Sequence, residues 1–360
     1  MAQAAEMLVD GAVGETRIGW VRDGRVVGLR LLRWSDAGRR ARHGEVYVGR
    51  VRAIDRMRRG AFVDLGLKEE TGFLPLDANG RARIGGAARA LREGEALTVN
   101  VVREAGAGKG PVLALLLEPA AGGPRMLAPG EGHAALQEAG PANAAVRAML
   151  DEALEAALSR HAPLPQGGML SIERTSALTV VDVDAGARPG GGDVERFVRQ
   201  LNCDAAREAA LQLRLRGLGG LAVIDFVHMR REDSRKAVEG ALREALRPDG
   251  AEAQPGRISK LGLLELSRPQ TTRPLQDLML DGEGRPTVEA AALAALRALE
   301  REAGAARGRM VHLRAPAAVA RWLQDAHIPW RDALTRRIGA RFSIDPAPGL
   351  TLGRLDLSTV

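Results

Sequence analysis

The sequence predicts a multidomain chain of α/β and β class, and three observations predict it. Short apolar stretches broken by Gly and Asp-Gly run from residue 6 to 118, the pattern of a strand meander followed by a small Greek-key barrel. From residue 163 onward two strand-like runs, TVVDVD and GLAVID, flank a long helical segment, which is the order of an α/β sheet. Residues 271–360 then mix helix and strand in a small α+β region. A chain of 360 residues is long enough to bury a substantial core in two or three such domains.

Taken in order, MLVDGAV and IGWVRDGRVVGLRLL alternate like strands between 6 and 34, and the basic stretch GRRARHG follows. Residues 44–118 carry five more strand candidates: EVYVGRVRAI, GAFVDLG, TGFLPL, ALTVNVV and PVLALLL. Residues 119–143, rich in Gly, Pro and Ala, read as a surface linker, and 144–160 has helical spacing. GMLSIERTSALTVVDVD reads as two strands, and the helix after it takes Asp193 as N-cap. GLAVIDFV, with no alternation, reads as a strand buried on both faces, with a helix over roughly 231–247 and the segment GRISKLGLLELSR after it. The tail offers a loop, a helix at 288–303, a strand at 309–314, a helix at 315–326, and two strands near 340 and 350.

Lys+Arg 52 against Asp+Glu 45 gives a net charge of +7, carried almost entirely by arginine, the fork-shaped donor suited to phosphate. Composition leaves two readings open, a polyanionic partner or a general preference for arginine over lysine. One cysteine, Cys203, excludes an intrachain disulfide and a cysteine-cluster zinc site, which fits a reducing cytoplasm. The N-terminal MAQAAEMLVDGAVGETR has no apolar h-region, and no run of 18 apolar residues occurs, so a soluble intracellular protein without membrane spans is expected.

Chemistry concentrates at two strand ends. Asp182 and Asp184, two apart after a strand, project from one face, and Asp225 ends a second apolar strand with His228 three residues on. If the strands are neighbours, the carboxylates converge and call for a divalent cation. Magnesium, which takes hard oxygen ligands and shares its shell with phosphate, then points to phosphodiester hydrolysis. The competing reading of each aspartate is a turn former or helix cap. No Gly-x-Ser-x-Gly, His-Glu-x-x-His or phosphate loop is present, because GAGKGP lacks the spacing and leaves Lys109 a loop lysine. His43, His133, His161, His312 and His327 have no ligand spacing and read as surface or loop residues. In the barrel, Phe62 and Phe73 are candidates to stack bases or to fill the core, and Arg50, Arg52, Arg56, Arg58 and Arg59 supply positive surface.

Together these segments resemble the ribonuclease E/G family, in the family's own order and over most of the chain. GEVYVGRVRAIDRMRRGAFVDLGLKEETGFLPL resembles its OB-fold barrel. LPQGGMLSIERTSALTVVDVDAG and DAAREAALQLRLRGLGGLAVIDFVHM resemble its catalytic strands and helix, and GRISKLGLLELSR the segment that closes its DNase I-like domain. The resemblance implies an RNase H-like platform from 1–40 with 119–162, the barrel at 41–118, the catalytic domain at 163–270 and a small C-terminal domain at 271–360.

By the same resemblance, Asp182 and Asp225 hold magnesium, Phe62 and Phe73 stack on RNA, and Lys109 lies on the RNA path. The expected activity is endonucleolytic cleavage of single-stranded, often A/U-rich RNA in rRNA or mRNA processing or decay, leaving 5′ phosphates. The sequence departs from the family at Asp184, where asparagine is usual, at His228, where a second acid is usual, and at Ser176 in place of glutamate. The zinc-binding Cys-Pro-x-Cys link is missing, so no zinc is expected, and a homo-oligomer could not form through that link. The segment between barrel and catalytic domain is too short for a domain sensing a 5′ monophosphate, so cleavage should be nearly indifferent to the RNA 5′ end. The alternatives are an RNA-binding protein of the same fold with weak or lost catalysis, and a phosphodiesterase acting on another nucleic acid or nucleotide.

Overall fold

The computed structural model describes residues 5–85, 87–106, 108–116, 120–130, 139–186, 193–249 and 252–360. Parts of the predicted linker, residues 119 and 131–138 with His133 among them, lie outside the described residues. The chain divides into two compact units, one from Met1–Leu8, Gly19–Arg30 and Ala144–Leu275, the other from Val9–Ile18, Leu31–Asn143 and Gln276–Val360. Among the described residues no helix is long and apolar enough to cross a membrane.

The first strands, β1 (Glu6–Ala12), β2 (Glu15–Arg22) and β3 (Arg25–Arg33), form an up-and-down sheet where the alternation predicts it. Asp23 and Gly24 both take positive φ, 51° and 73°, the two-residue turn whose twist suits a hairpin.

Eight strands follow: β4 (Val46–Asp55), β5 (Gly60–Asp64), β6 (Thr71–Pro75), β7 (Arg81–Ile84), β8 (Ala87–Ala90), β9 (Ala96–Arg103), β10 (Val112–Leu115) and β11 (Arg125–Ala128). Strands β4, β5, β6, β10 and β9 pair in that order, and β4 pairs with β9 to close a five-stranded, OB-like barrel. Its interior is filled by the inward half of each alternation, including Val51, Ala61, Val63, Leu74, Leu97, Val99 and Leu113. Two elements differ from the sequence reading. β7 and β8 form a separate hairpin, and β11, inside the stretch read as a linker, pairs with Val46–Val48 of β4.

The α/β region comprises α1 (Ala144–Leu158), β12 (His161–Pro163), β13 (Met169–Arg174), β14 (Thr179–Asp184), α2 (Val194–Leu215), β15 (Gly220–Asp225), α3 (Glu232–Leu246), β16 (Gln254–Pro255) and β17 (Leu263–Arg268). Asp193 caps α2 by accepting from the Arg196 N–H. The sheet order is β12-β13-β14-β15-β17-β16, with β14 and β15 parallel across the α2 crossover. Helices α2 and α3 supply Leu201, Ala205, Leu213, Val238 and Leu242 to a core with Leu170, Val181, Ile224 and Leu264. Because these side chains meet one face of the sheet, the strands alternate. β15, expected to be buried on both faces, buries Ala222 and Ile224 but leaves Leu221 59% exposed.

The last segment holds α4 (Leu275–Met279), α5 (Val288–Ala305), β18 (Val311–Ala315), α6 (Ala317–Asp325), α7 (Trp330–Ile338), β19 (Phe342–Pro346) and β20 (Asp356–Thr359). Its sheet order is β19-β18-β20, packed against Leu296, Leu299, Trp330 and Leu334. Helix α7 is absent from the sequence reading, and the final strand begins at 356, not near 350.

Candidate functional site

The parallel register of β14 and β15 sets Asp182 directly beside Asp225. Laterally paired residues share a face and neighbouring strands lie about 4.8 Å apart, so these two carboxyl groups leave the sheet side by side. Burial identifies the face: Val181, Val183, Ala222 and Ile224 are buried, whereas Asp182, Asp184 and Asp225 are exposed. β-branched runs on both strands favour the extended backbone that maintains this register.

The chain beyond Asp225 is held by α2. Asn202, fully buried, accepts the Val227 N–H at 3.2 Å and donates to the Val227 carbonyl at 2.7 Å. In the first turn of α2, the Glu195 carboxylate accepts from the Arg230 and Arg231 N–H groups at 3.2 and 3.1 Å. A hydrogen bond from Ser234 and those two amides hold the Glu195 carboxyl below its ordinary range. On the other side Gly262, at φ +94°, packs so closely that a Cβ there would lie 3.0 Å from the Phe226 carbonyl and 3.9 Å from Asp225 Oδ1. His228 therefore sits exposed in a loop clamped at both ends, three residues past Asp225.

Among the described residues, the Asp182 and Asp225 side chains make no hydrogen bond or ion pair. Asp184 lies on the same face opposite Met169, and its Oδ1 accepts the Gly186 N–H at 2.8 Å. No group of three or more His, Cys, Asp or Glu side chains is arranged to hold a metal ion among the described residues. An ion at this place would thus have two carboxylate ligands and complete its shell with water and substrate oxygen. Magnesium commonly binds proteins in that way, so the donor set fits it.

The register extends further across the sheet. Ser171 of β13 lies beside Asp182, His161 of β12 beside Ser171, and Leu263 of β17 beside Asp225. Ser171 Oγ and His161 Nδ1 are 3.2 Å apart. His161, read as a surface or loop residue, is exposed and stands at the start of a strand. Spacing along the chain carries no information about which residues of β12 and β13 become partners, so no signal in the sequence could place it here.

On the barrel, Phe62 and Phe73 are register partners on the outer face, with ring centroids 5.7 Å apart at 68°. Both are half-buried. A Cβ at Gly60 would meet the Phe73 ring at 2.0 Å, so this glycine gives the ring its seat. Arg50, the register partner of Asp64, shares that face, but its guanidinium donates to the Gly94 carbonyl at 2.8 Å. Arg52 pairs with Asp64 and Arg58 with Asp55, while Arg56 and Arg59 have no such partner among the described residues. Lys109 is exposed at a tight turn closed by its own backbone pairing with Gly106, just before β10 joins β6.

Comparison with known proteins matches residues 135–271 to the Ribonuclease E/G family. Ribonuclease E of Escherichia coli strain K12 is 38% identical over 205 residues, which is 55% of this chain and 19% of that protein. Ribonuclease E of Haemophilus influenzae is 39% identical over 181 residues, 48% of this chain and 19% of that protein. Ribonuclease G of Escherichia coli strain K12 is 35% identical over 144 residues, 39% of this chain and 29% of that protein. The aligned segments thus span less than a third of these relatives' own length. The matched segment contains β14, α2 and β15 with both aspartates, and over residues 135–271 the chain is similar to the ribonuclease E/G family.

Proposed function

We propose that the chain is a magnesium-dependent endoribonuclease that hydrolyses phosphodiester bonds of single-stranded RNA and leaves 5′-phosphate products. The observation that carries this reading is the lateral pairing of Asp182 with Asp225 on an exposed sheet face, two carboxylates without a cationic partner among the described residues. When bound, magnesium supplies Lewis-acid polarisation of the scissile phosphoryl oxygen and a nucleophilic water at neutral pH. The two aspartates hold and orient that charge from rigid strands. Asp184 adds a third negative group to the same face, and His228, on the clamped loop, is the nearby residue suited to carry a proton. On the barrel, Phe62 and Phe73 offer ring faces to unpaired bases, and Arg50 and Lys109 offer charge to phosphates.

Within this reading, residues 41–118 are the OB-fold barrel, and 1–40 with 119–162 an RNase H-like platform. Residues 163–270 are the DNase I-like catalytic domain and 271–360 a small C-terminal domain, the whole acting in the cytoplasm. The related ribonucleases E and G support the assignment. A second reading, an RNA-binding protein of the same fold with weak catalysis, is favoured by Asp184, whose carboxylate is already engaged with the Gly186 N–H. Incubating labelled single-stranded RNA with protein and magnesium, with chelator as control, separates the two. Cleavage should need the metal and be lost in Asp182→Asn and Asp225→Asn. Full cleavage by both variants rejects the site, and binding without cleavage by the unaltered chain establishes the second reading.

A further inference from the structure

The row that begins at Asp225 and Asp182 continues through Ser171 to His161, and neither of these last two residues has a role in the reading above. Ala162, between His161 and Pro163, is buried against Leu170, so His161 takes the exposed face, the same one that bears the aspartates. The contact between His161 Nδ1 and Ser171 Oγ draws the ring over β13, toward Asp182. Strand spacing of about 4.8 Å puts the His161 Cα about 10 Å from that of Asp182, with the ring reaching back over part of that gap. A single strand lying across the sheet would pass the two groups in succession, the His161 ring being drawn back toward β13.

We propose that His161 and Ser171 form a phosphate-positioning site, which holds the phosphate next to the scissile one when single-stranded RNA lies across the sheet. The inference rests on the nuclease reading of Asp182 and Asp225. In the neutral tautomer that carries its proton on Nε2, the Ser171 hydroxyl donates to Nδ1 and the Nε2–H is one donor free for a phosphate oxygen. In the imidazolium form Nδ1–H donates to Ser171 Oγ, which frees the hydroxyl hydrogen as well, so the pair offers two donors and a positive charge. The surroundings leave that role to His161. Arg160, its chain neighbour, is engaged with Glu173 of β13. Arg25 lines a cavity of about 260 Å³ together with His161, Glu152 and Gln212, but its guanidinium is held by Glu208 at 2.7 and 2.8 Å. Glu152 is the other charged group at that cavity.

The test is the affinity of the whole chain for a single-stranded RNA oligonucleotide without divalent ions, between about pH 5.5 and about pH 8.5, across the range where histidine titrates. Wild type, His161→Gln and Ser171→Ala are compared, the glutamine keeping a hydrogen-bonding group without the charge. Wild type should bind about fivefold more tightly than His161→Gln at the acid end, with the gap closing at the alkaline end. In magnesium, His161→Gln should raise KM by a similar factor near pH 6 and leave kcat unchanged, as for a residue that binds without reacting. Parallel pH curves for wild type and His161→Gln, or a loss confined to kcat, overturn the assignment. The outcome is separable from the nuclease reading, because Asp182→Asn and Asp225→Asn decide that one through cleavage, whereas this one is read from binding without metal.

Discussion

The outer face of the barrel and the exposed face of the α/β sheet treat charge in opposite ways. On the barrel, Arg52 and Arg58 are paired with aspartates and Arg50 donates to a loop carbonyl, around a half-buried pair of phenylalanine rings. On the sheet, Asp182 and Asp225 stand side by side with no ion-pair partner among the described residues. Elsewhere this arginine-rich chain answers its acids: Asp10 with Arg17, Glu15 with Arg33 and Arg297, and Asp249 with Arg214 and Arg268. Two like charges at strand spacing in water cost only about 1 kcal/mol, so the fold tolerates the exposed pair easily. The barrel face sets paired charges around two aromatic rings, and the sheet face sets two acids side by side, unpaired among the described residues.

If that division holds, variants of the two surfaces should fail differently. Asp182→Asn or Asp225→Asn should lower the cleavage rate on the order of a thousandfold, with RNA affinity retained. The double variant should be no worse than either single one, since both remove one shared function. Additive losses in a cleavage assay would mean independent roles. Phe62→Ala and Phe73→Ala should instead weaken RNA binding by about 1–3 kcal/mol, seen as a raised KM with kcat intact. A fall in kcat alone would place the rings in the chemistry and erase the contrast.

Smaller effects sharpen the comparison within each region. Asn202→Ala removes both partners of the Val227 amide, and urea denaturation should register a loss of about 2 kcal/mol, with slower cleavage because the loop after Asp225 loosens. Unchanged stability would show that the clamp is dispensable. In the barrel, burial pushes the Glu45 carboxyl above its ordinary value of 4.5, against hydrogen bonds from Arg42 and Tyr47. The folded state therefore holds this proton more tightly than the unfolded chain. Stability from that source is present below pH 4.5 and lost as pH rises through the raised value. Thermal melts should find wild type losing ground to Glu45→Gln as pH rises above 4.5, whereas a constant difference would refute the linkage.

Much of this was legible in the sequence because alternation, glycine turns and caps are local. The five barrel strands, the Asp193 cap and the strands ending at Asp184 and Asp225 all fall where those signals place them. The hairpin of β7 and β8 was not, because RARIGGAARA has almost no apolar alternation to read. GLAVID reads as doubly buried because hydrophobicity alone does not reveal that the helices cover one face. The sequence brings Asp182 to Asp225 only if their strands are neighbours, and adjacency of strands is set by the assembled sheet. The continuation of that row to Ser171 and His161 had no local signature, since partner choice across strands is a property of the assembled sheet.

The central claim is that Asp182 and Asp225 share one divalent ion. Manganese(II) can stand in for magnesium in a binding titration followed by electron paramagnetic resonance on wild type, each single asparagine variant and the double variant. Loss of the same single bound ion in all three variants is the predicted result. An unchanged number of bound ions in any of them would contradict it.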